Sequence, residues 1–285
     1  MKILVTGATG KLGSKVVASL LKQVPASDLA VSVRNPEKAE DLRAQGVDVR
    51  HGDFDAPETL DEAFQGIDRL LIISTDGDTE TRIRQHGNAV HAAERAGVKF
   101  IAYTSLANAT ESQNLMAPPH VATEAAIIKT GIPYAFLRNN WYLENELGSI
   151  QAVEAGAPWV TSAGEGKVGW ALQQDYADAA VAVLTGTGHE NKTYELSGPL
   201  LTQEQLASEL GKVLDKQVPV KQVNDEDYAE VMKNAGVPDF AIPIVVGIQE
   251  SIRNGSLEVA NSDFEQVLGR PLTPINDGLA QLVSK

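Results

Sequence analysis

The sequence predicts an α/β fold built on an open parallel sheet with helices on both faces. Short apolar runs alternate with helix-forming segments between residues 3 and 138. The run at residues 70–73 (LLII) is wholly apolar, as is typical of a central parallel strand that is buried on both faces. Short loops join these segments, so each strand–helix–strand unit should form a right-handed crossover. The expected result is a Rossmann-type, doubly wound parallel sheet with a small C-terminal lobe.

The order of the elements follows from apolar periodicity and from glycines that end helices. Gly46, Gly66 and Gly97 each follow a periodic segment, at the position where a glycine commonly ends a helix. Predicted strands lie at residues 3–6, 29–34, 47–50, 69–75, 100–105 and 134–138, and predicted helices at residues 12–21, 40–44, 57–65, 80–96 and 118–129.

A glycine-rich turn connects the first strand to the first helix. Gly7, Gly10 and Gly13 form a G-x-x-G-x-x-G motif, a relative of the dinucleotide-binding fingerprint. One glycine permits the turn, one lets the backbone approach a pyrophosphate, and one lets helix and strand pack closely. The pyrophosphate would bind the free N–H groups of the helix N-terminus. The motif therefore predicts a dinucleotide site, whose other candidate residues are Thr9, Lys11 and Leu12.

The pattern weakens after residue 138. A helix is expected at residues 175–184, strands at 193–197 and 218–223, and a further helix after Thr202, where Gln205 occupies the capping-box position. We expect residues 1–138 to form the NAD(P)-binding core. Residues 139–285 should complete that core and form a small substrate-binding lobe without a second core of any size.

The composition restricts the class of protein. The chain of 285 residues has a net charge of −14, which argues against the basic face that nucleic-acid binding requires. It has no cysteine, which excludes disulfides and thiolate catalysis. No apolar run approaches the roughly 18 residues of a membrane span. Because the first strand begins at residue 3, we expect no targeting peptide and a cytoplasmic location.

The end of the second strand predicts which cofactor is bound. NAD sites place a carboxylate about 20 residues after the glycine motif, to bind the ribose hydroxyl groups. Here Arg34 occupies that region, 21 positions after Gly13. A guanidinium can bind a 2′-phosphate in a bidentate manner, so Arg34 favours NADPH unless it is an ordinary surface arginine. Asp53, after the third strand, is either an adenine contact or a loop carboxylate.

Hydroxyl side chains end the fourth and fifth strands. Ser74, Thr75 and Thr104 lie where ligands bind in such sheets, although hydroxyls there are often only turn residues. No metal site is expected, because His86 and His91 are five residues apart with no matching carboxylate cluster.

Several motifs along the chain resemble the NmrA-like group of atypical short-chain dehydrogenase/reductases, and most closely its bacterial branch of type 2 NAD(P)H:quinone oxidoreductases and triphenylmethane reductases. The resemblance implies a Rossmann domain, NADPH, and two-electron reduction of a quinone or quinone-like dye without flavin. The motifs are Gly7-Ala-Thr-Gly-Lys-Leu-Gly13, Val33-Arg-Asn-Pro36, His51-Gly-Asp53, Gly97-Val-Lys-Phe-Ile-Ala-Tyr-Thr-Ser105, His120-x-x-Thr-Glu124, Leu137-Arg-Asn-Asn-Trp-Tyr142 and His189-Glu-Asn-Lys-Thr-Tyr-Glu195.

The chain departs from most short-chain dehydrogenases at their tyrosine–lysine pair. The corresponding place has His120 and Glu124, and a glutamate cannot lower the pKa of a tyrosine as a lysine does. This disfavours alcohol–ketone interconversion. A quinone needs less assistance because its hydroquinone anion is delocalised, so orientation and one hydrogen-bond donor should suffice.

The candidate acceptor site follows the sixth strand. Asn139 and Tyr142 are the expected donors to the quinone oxygen, Trp141 a stacking surface, and His120 a proton donor; Asn139 is also a candidate cofactor contact. The alternatives are that Trp141 and Tyr142 pack in the core and that His120 is structural.

These observations predict NADPH-dependent two-electron reduction of quinones, with neither flavin nor metal. Two alternatives remain open: a non-catalytic NADP(H)-sensing regulatory protein, which would also lack the tyrosine–lysine pair, and a reductase of triphenylmethane or azo-type dyes. The expected partner is a small quinone-like molecule, with neither nucleic acid nor membrane. A homodimer is one of the oligomeric states that the sequence leaves open.

Overall fold

The strands form one large and two small sheets in the computed structural model, which describes residues 1–112 and 114–283. In chain order they are β1 (Ile3–Thr6), β2 (Leu29–Val33), β3 (Asp48–His51), β4 (Arg69–Ile72), β5 (Phe100–Leu106), β6 (Tyr134–Asn139), β7 (Trp141–Tyr142), β8 (Trp159–Thr161), β9 (Lys167–Ala171), β10 (Lys192–Leu196), β11 (Leu200–Thr202) and β12 (Val220–Gln222).

The helices alternate with the strands through the first half of the chain, as predicted. They are α1 (Lys11–Leu20), α2 (Glu40–Ala44), α3 (Pro57–Ala63), α4 (Thr79–Arg95), α5 (Ala117–Thr130), α6 (Leu147–Glu154), α7 (Gln173–Thr185), α8 (Gln203–Leu214), α9 (Asp225–Asn234), α10 (Ile242–Arg253), α11 (Asp263–Leu268) and α12 (Ile275–Leu282). Among the described residues, none of the helices combines the length and the hydrophobicity that a membrane span requires.

The large sheet has the strand order β3-β2-β1-β4-β5-β6-β10. The neighbouring pairs from β3 to β6 are all parallel. The direction in which strands are added reverses between β1 and β4, and ligands of such sheets bind at this point, outside the carboxyl ends of the strands. The predicted Rossmann-type fold is confirmed.

The chain divides into two compact units that are not contiguous in sequence. The first contains Met1–Ala109, Pro118–Asn139 and Gln174–Tyr194, and the second contains Thr110–Ala117, Asn140–Gln173 and the chain from Glu195 onward. Much of the predicted NAD(P)-binding core thus lies in the first unit, which also takes α7 from the later half of the chain.

One apolar core of the first unit lies between one face of the sheet and the helices α3, α4 and α5. Ile72 of β4 and Tyr103 of β5 are fully buried there, against Ala89 and Ala93 of α4. Because Tyr103 carries a hydroxyl into this apolar layer, it requires buried hydrogen-bond partners. Those partners form part of the candidate site.

The second unit has an apolar core of its own, so the expectation that this part of the chain buries no sizeable core is wrong. Trp159 and Trp170, from β8 and β9, are 1% exposed and pack in one cluster with Leu206 of α8 and Leu279 of α12. The strands that contribute are only two to five residues long. Such short strands show little periodicity in sequence, which is why this core was not predicted.

Candidate functional site

The glycine turn between β1 and α1 has the close backbone contacts that its spacing predicts. Gly7 has a φ of +62°, which glycine adopts without strain, and its carbonyl accepts a hydrogen bond from the Gly10 N–H at 2.9 Å. A Cβ atom at Gly13 would lie 2.1 Å from the Gly7 oxygen. Glycine at position 13 is therefore a steric requirement of this turn.

The N-terminus of α1 is open to a ligand. Its N-cap is Gly10, which has no side chain to cap the helix, and Thr9, Gly10 and Lys11 are exposed while Leu12 is buried. Unpaired N–H groups at such an end bind phosphate well. The uncapped helix end thus fits the pyrophosphate of a dinucleotide. The close packing at Gly13 holds the turn in the shape that leaves this end open.

Arg34 and Asp53 follow β2 and β3 respectively. Arg34 is exposed directly after β2, on the far side of β1 from β4. The Asp53 carboxylate accepts the Asp55 N–H at 2.9 Å, which is the loop role considered as the alternative for this residue. Its predicted contact with adenine and the predicted contact of Arg34 with the 2′-phosphate both remain predictions.

The hydroxyls at the ends of β4 and β5 bind one another or the buried layer. The Thr104 hydroxyl accepts the Ser74 N–H at 2.9 Å. Thr75 is directed instead toward His86, whose Nε2 atom lies 2.9 Å from the Thr75 nitrogen and 3.1 Å from its hydroxyl oxygen. The Thr75 side chain therefore connects the strand end to α4.

A buried polar network lies beneath this edge of the sheet. Arg82, in the first turn of α4, donates from Nη2 to His120 Nε2 at 2.9 Å. Because a guanidinium can only donate, Nε2 is the acceptor and the proton of neutral His120 lies on Nδ1. That nitrogen lies 2.9 Å from the Tyr103 hydroxyl, to which it donates. The tautomer of His120 is thus set by its two neighbours.

His86 is held in the same way. Its Nε2 accepts the Thr75 backbone N–H, so its Nδ1 carries the proton and donates to the Thr123 hydroxyl at 2.9 Å. The Thr123 hydroxyl in turn donates to the Pro119 carbonyl at 2.6 Å. His86 is fully buried and tightly joins the end of β4, α4 and α5.

The surroundings of both histidines keep them neutral. Burial, followed by the neighbouring Arg82 charge, lowers the pKa of His86 to about 4 and that of His120 to about 3. Both ring nitrogens of His120 are also engaged. These observations favour the structural alternative for His120 over the proton-donating role that the sequence analysis assigned to it.

Glu124 takes part in a closed ion pair. Its carboxylate binds Arg138 Nη2 at 2.7 Å and the Ser105 hydroxyl at 2.6 Å, and both carboxylate and guanidinium are largely buried. The two residues expected at the place of the usual tyrosine–lysine pair are thus a buried histidine and a carboxylate paired with an arginine. Neither supplies the positive charge by which a lysine activates a tyrosine.

The remaining predicted acceptor residues belong to different units. Asn139 ends β6 in the first unit and is 5% exposed. Trp141 and Tyr142 form β7 in the second unit, where they pair with Trp170 and the residue after it. Both aromatic side chains are half-buried in this short strand rather than in the following helix, and Trp141 packs against the apolar core of the second unit. Their predicted roles remain predictions.

Glu146 is a buried acid that the sequence analysis did not identify. It is 9% exposed and accepts hydrogen bonds from the indoles of Trp170, at 3.1 Å, and Trp141. Burial raises its pKa to about 7, although the two hydrogen bonds partly oppose this effect. Through its hydrogen bond with the indole, Glu146 therefore fixes the side chain of Trp141, one of the predicted acceptor residues. A glutamate in a segment of mixed polarity gives no sequence signal of this role.

Arg82 and Tyr103 were not predicted as site residues either. The spacing of Arg82 and His86, four residues apart on one helix face, was an available signal, but their partners come from other elements. No group of three or more His, Asp or Glu side chains suited to a metal ion occurs among residues 1–112 and 114–283.

Comparison with known proteins identifies the family. A model of the NmrA-like family matches residues 1–260. Quinone oxidoreductase 2 of Escherichia coli (strain K12) is 41% identical over 281 residues, with 98% of each chain covered. The crystal structure of Citrobacter sp. triphenylmethane reductase complexed with NADP(H) has a TM-score of 0.95 and 43% identity, covering 99% of this chain and all of that one. The E. coli NADPH-dependent quinone oxidoreductase complexed with NADPH has a TM-score of 0.93 and 41% identity, covering 98% of this chain and 99% of that one.

These matches extend over the glycine turn, the large sheet and the second unit. The resemblance inferred from the motifs is confirmed, including the branch to which it pointed. The chain belongs to the NmrA-like family.

Proposed function

We propose that the protein is an oxidoreductase that reduces quinones by two electrons at the expense of NADPH. The observation that supports this most directly is the turn at Gly7 and Gly13, which admits no side chain at its closest contact, together with Arg34 where an NAD site has a carboxylate. Relatives with at least 40% identity over nearly the whole chain are an NADPH-dependent quinone oxidoreductase and a triphenylmethane reductase bound to NADP(H).

The residues of the first unit would bind the cofactor at distinct points. The open end of α1 would hold the pyrophosphate through backbone N–H groups, and Arg34 would bind the 2′-phosphate. Ser74 and Thr104 lie at the carboxyl ends of β4 and β5, on the nicotinamide side of such a sheet. When bound, NADPH supplies the hydride, and we propose that no flavin is needed to pass it on.

The acceptor requires orientation and one proton. A quinone that gains a hydride becomes a hydroquinone anion, and one proton completes the hydroquinone. With His120 neutral and fully hydrogen-bonded, Asn139 and Tyr142 are the proposed hydrogen-bond donors to the quinone oxygen, and Trp141 is the proposed stacking surface. The proton that completes the hydroquinone is taken from water. A cytoplasmic location and a homodimer belong to this proposal as expectations from the sequence.

The proposal is tested by NADPH oxidation with benzoquinone, with no flavin added. We expect turnover with NADPH to exceed that with NADH. Replacing Arg34→Ala should weaken NADPH binding far more than NADH binding, because one bidentate phosphate contact is lost. Equal losses for the two cofactors would contradict the role of Arg34, and an absence of turnover with a range of acceptors would favour the NADP(H)-sensing alternative.

The role of Asn139 is tested separately. Asn139→Ala should lower turnover strongly while NADPH binding is retained; unchanged turnover would remove Asn139 from the reaction. Triphenylmethane dyes are a second candidate class of acceptor, because the Citrobacter relative named as their reductase is 43% identical to this chain. Relative kcat/KM values for a dye and a quinone, measured on the same preparation, decide between the two classes.

A further inference from the structure

Arg82 is a buried cation that lacks a counter-ion. Its side chain is 8% exposed, and the hydrogen bond that its guanidinium makes to a described residue goes to neutral His120. Its Nε atom is buried and makes no hydrogen bond within residues 1–112 and 114–283. An arginine keeps its charge in a protein, so this position holds a positive charge at considerable cost.

The groups around Arg82 do not supply the missing negative charge. His86 and His120 are neutral, and burial raises the pKa of Tyr103, which keeps that phenol protonated. Asp76, in the exposed loop after β4, attracts Arg82, but forms no ion pair with it among the described residues. Glu124 is already neutralised by its own arginine partner.

Two helix ends add to the positive potential at this place. Arg82 lies in the first turn of α4 and His120 in the first turn of α5, and helix N-termini are themselves positive. An arginine in the first helical turn is electrostatically unfavourable unless an anion compensates it. Asp78 caps α4 and Glu80 lies in its first turn, but both are exposed and neither forms an ion pair with Arg82 among the described residues; the Asp78 carboxylate accepts the Thr81 N–H instead.

The position in the sheet indicates which ligand could supply the anion. Arg82 and His120 follow β4 and β5, whose carboxyl ends form the ligand-binding edge on one side of the switch point. Arg34, the proposed partner of the 2′-phosphate, follows β2 on the other side of β1. The pyrophosphate would bind at α1. In the proposed binding mode, the pyrophosphate and the 2′-phosphate of the cofactor thus bind at α1 and Arg34 and do not supply the anion for Arg82.

We propose that Arg82, with the first turns of α4 and α5, binds a singly charged acidic group carried by the electron acceptor. Resting on the proposed quinone reduction, this inference specifies the substrate class: quinones that bear a sulfonate, a carboxylate or an ionised hydroxyl. The guanidinium has further N–H groups beyond the one that binds His120, and on its Nη atoms, which unlike Nε are not all enclosed, these can donate a charge-assisted hydrogen bond to an oxygen of that group. Burial strengthens this contact, since the effective dielectric constant is low there.

The test compares two acceptors that differ only in charge, naphthoquinone sulfonate and unsubstituted naphthoquinone. In Arg82→Met, kcat/KM for the sulfonate should fall at least about tenfold more than kcat/KM for the neutral quinone. Arg84→Met is the matched control, because Arg84 lies on the same helix but is exposed and paired with Asp55. It should change both values by the same factor. Because each variant's kcat/KM is divided by the wild-type value for the same quinone, differences in intrinsic reactivity between the two quinones cancel.

Equal losses of kcat/KM for the two quinones in Arg82→Met would overturn the anion site. If NADPH binding were also weaker, those equal losses would assign Arg82 to the cofactor. An absence of turnover with both quinones in the wild-type protein would instead overturn the proposed function. If Arg82→Met does not fold, the wild-type protein gives the answer. Naphthalene sulfonate should then inhibit quinone reduction at least about tenfold more strongly than naphthalene methanol, and equal inhibition would refute the site.

Discussion

Glu146 should make the stability of the protein depend on pH in a direction opposite to that of most carboxylates. In the folded protein its pKa is raised from 4.5 to about 7 by burial. The folded state therefore retains a proton that the unfolded state releases between these two values. The contribution of Glu146 to stability is complete below about pH 4.5 and is lost as the pH rises to about 7.

The magnitude follows from the size of this shift. At about 1.4 kcal/mol per pH unit, the whole interval corresponds to about 3 kcal/mol, of which about 2 kcal/mol lies between roughly pH 5.5 and pH 8. Glu146→Gln keeps a neutral acceptor for an indole N–H at every pH. Relative to the wild-type protein, the variant should gain about 2 kcal/mol of unfolding free energy over this range.

Urea denaturation followed by circular dichroism measures this difference at the two pH values. Because both proteins contain the same histidines, their titration cancels in the comparison. Gln203→Leu is a matched control, since Gln203 accepts the Trp159 indole N–H at 2.8 Å and carries no titrating proton. Its stability difference from the wild-type protein should not change with pH. A Glu146→Gln difference that is equally constant would refute the buried-acid argument.

Three further predictions concern the first unit. Gly13→Ala should weaken NADPH binding at least about tenfold, as measured by fluorescence titration, because its Cβ would collide with the Gly7 carbonyl. Gly87→Ala is the control: its Cβ would meet no atom within 4 Å, so it should instead stabilise α4 by about 0.5–1 kcal/mol. Arg138→Met should cost about 3–5 kcal/mol of unfolding free energy by leaving the Glu124 carboxylate unpaired, and a double replacement of both residues that restored none of it would contradict this reasoning. Because its pKa is lowered to about 3, His120 stabilises the fold above about pH 6.5 and loses this contribution, by about 1.4 kcal/mol per pH unit, as the pH falls. His120→Gln should therefore lose less stability than the wild-type protein on acidification, as measured by urea denaturation.

The elements of the first unit could be predicted because local patterns determine them. The glycine spacing at Gly7 and Gly13 and the apolar run of β4 each lie within a few consecutive residues, and the structure places them as predicted. The ends of the helices were predicted to within a few residues for the same reason. Glycines and caps act locally.

The buried network could not be predicted because its contacts join distant positions. Arg82 and His120 are 38 residues apart, and Tyr103 and His120 are 17 apart on different elements. A single sequence shows that such residues are present, but not that they meet. For His120 the sequence left a proton-donating role and a structural role open, and the contacts with Arg82 and Tyr103 that bear on the choice join different elements.

The second unit was underestimated for a related reason. Its strands are short, and the helices that complete its core, α8 and α12, are more than 60 residues apart along the chain. Neither the core around Trp159 and Trp170 nor the buried position of Glu146 follows from local periodicity. Tertiary packing determines both.

Hydride transfer from NADPH to a quinone without flavin can be measured by an anaerobic stoichiometric titration. Purified protein whose absorbance spectrum shows no flavin is mixed with NADPH and benzoquinone in the absence of oxygen. We predict that one hydroquinone forms for each NADPH consumed and that no semiquinone appears in the electron paramagnetic resonance spectrum. A reaction that begins only after flavin is added, or that accumulates semiquinone, would refute direct hydride transfer from NADPH to the quinone.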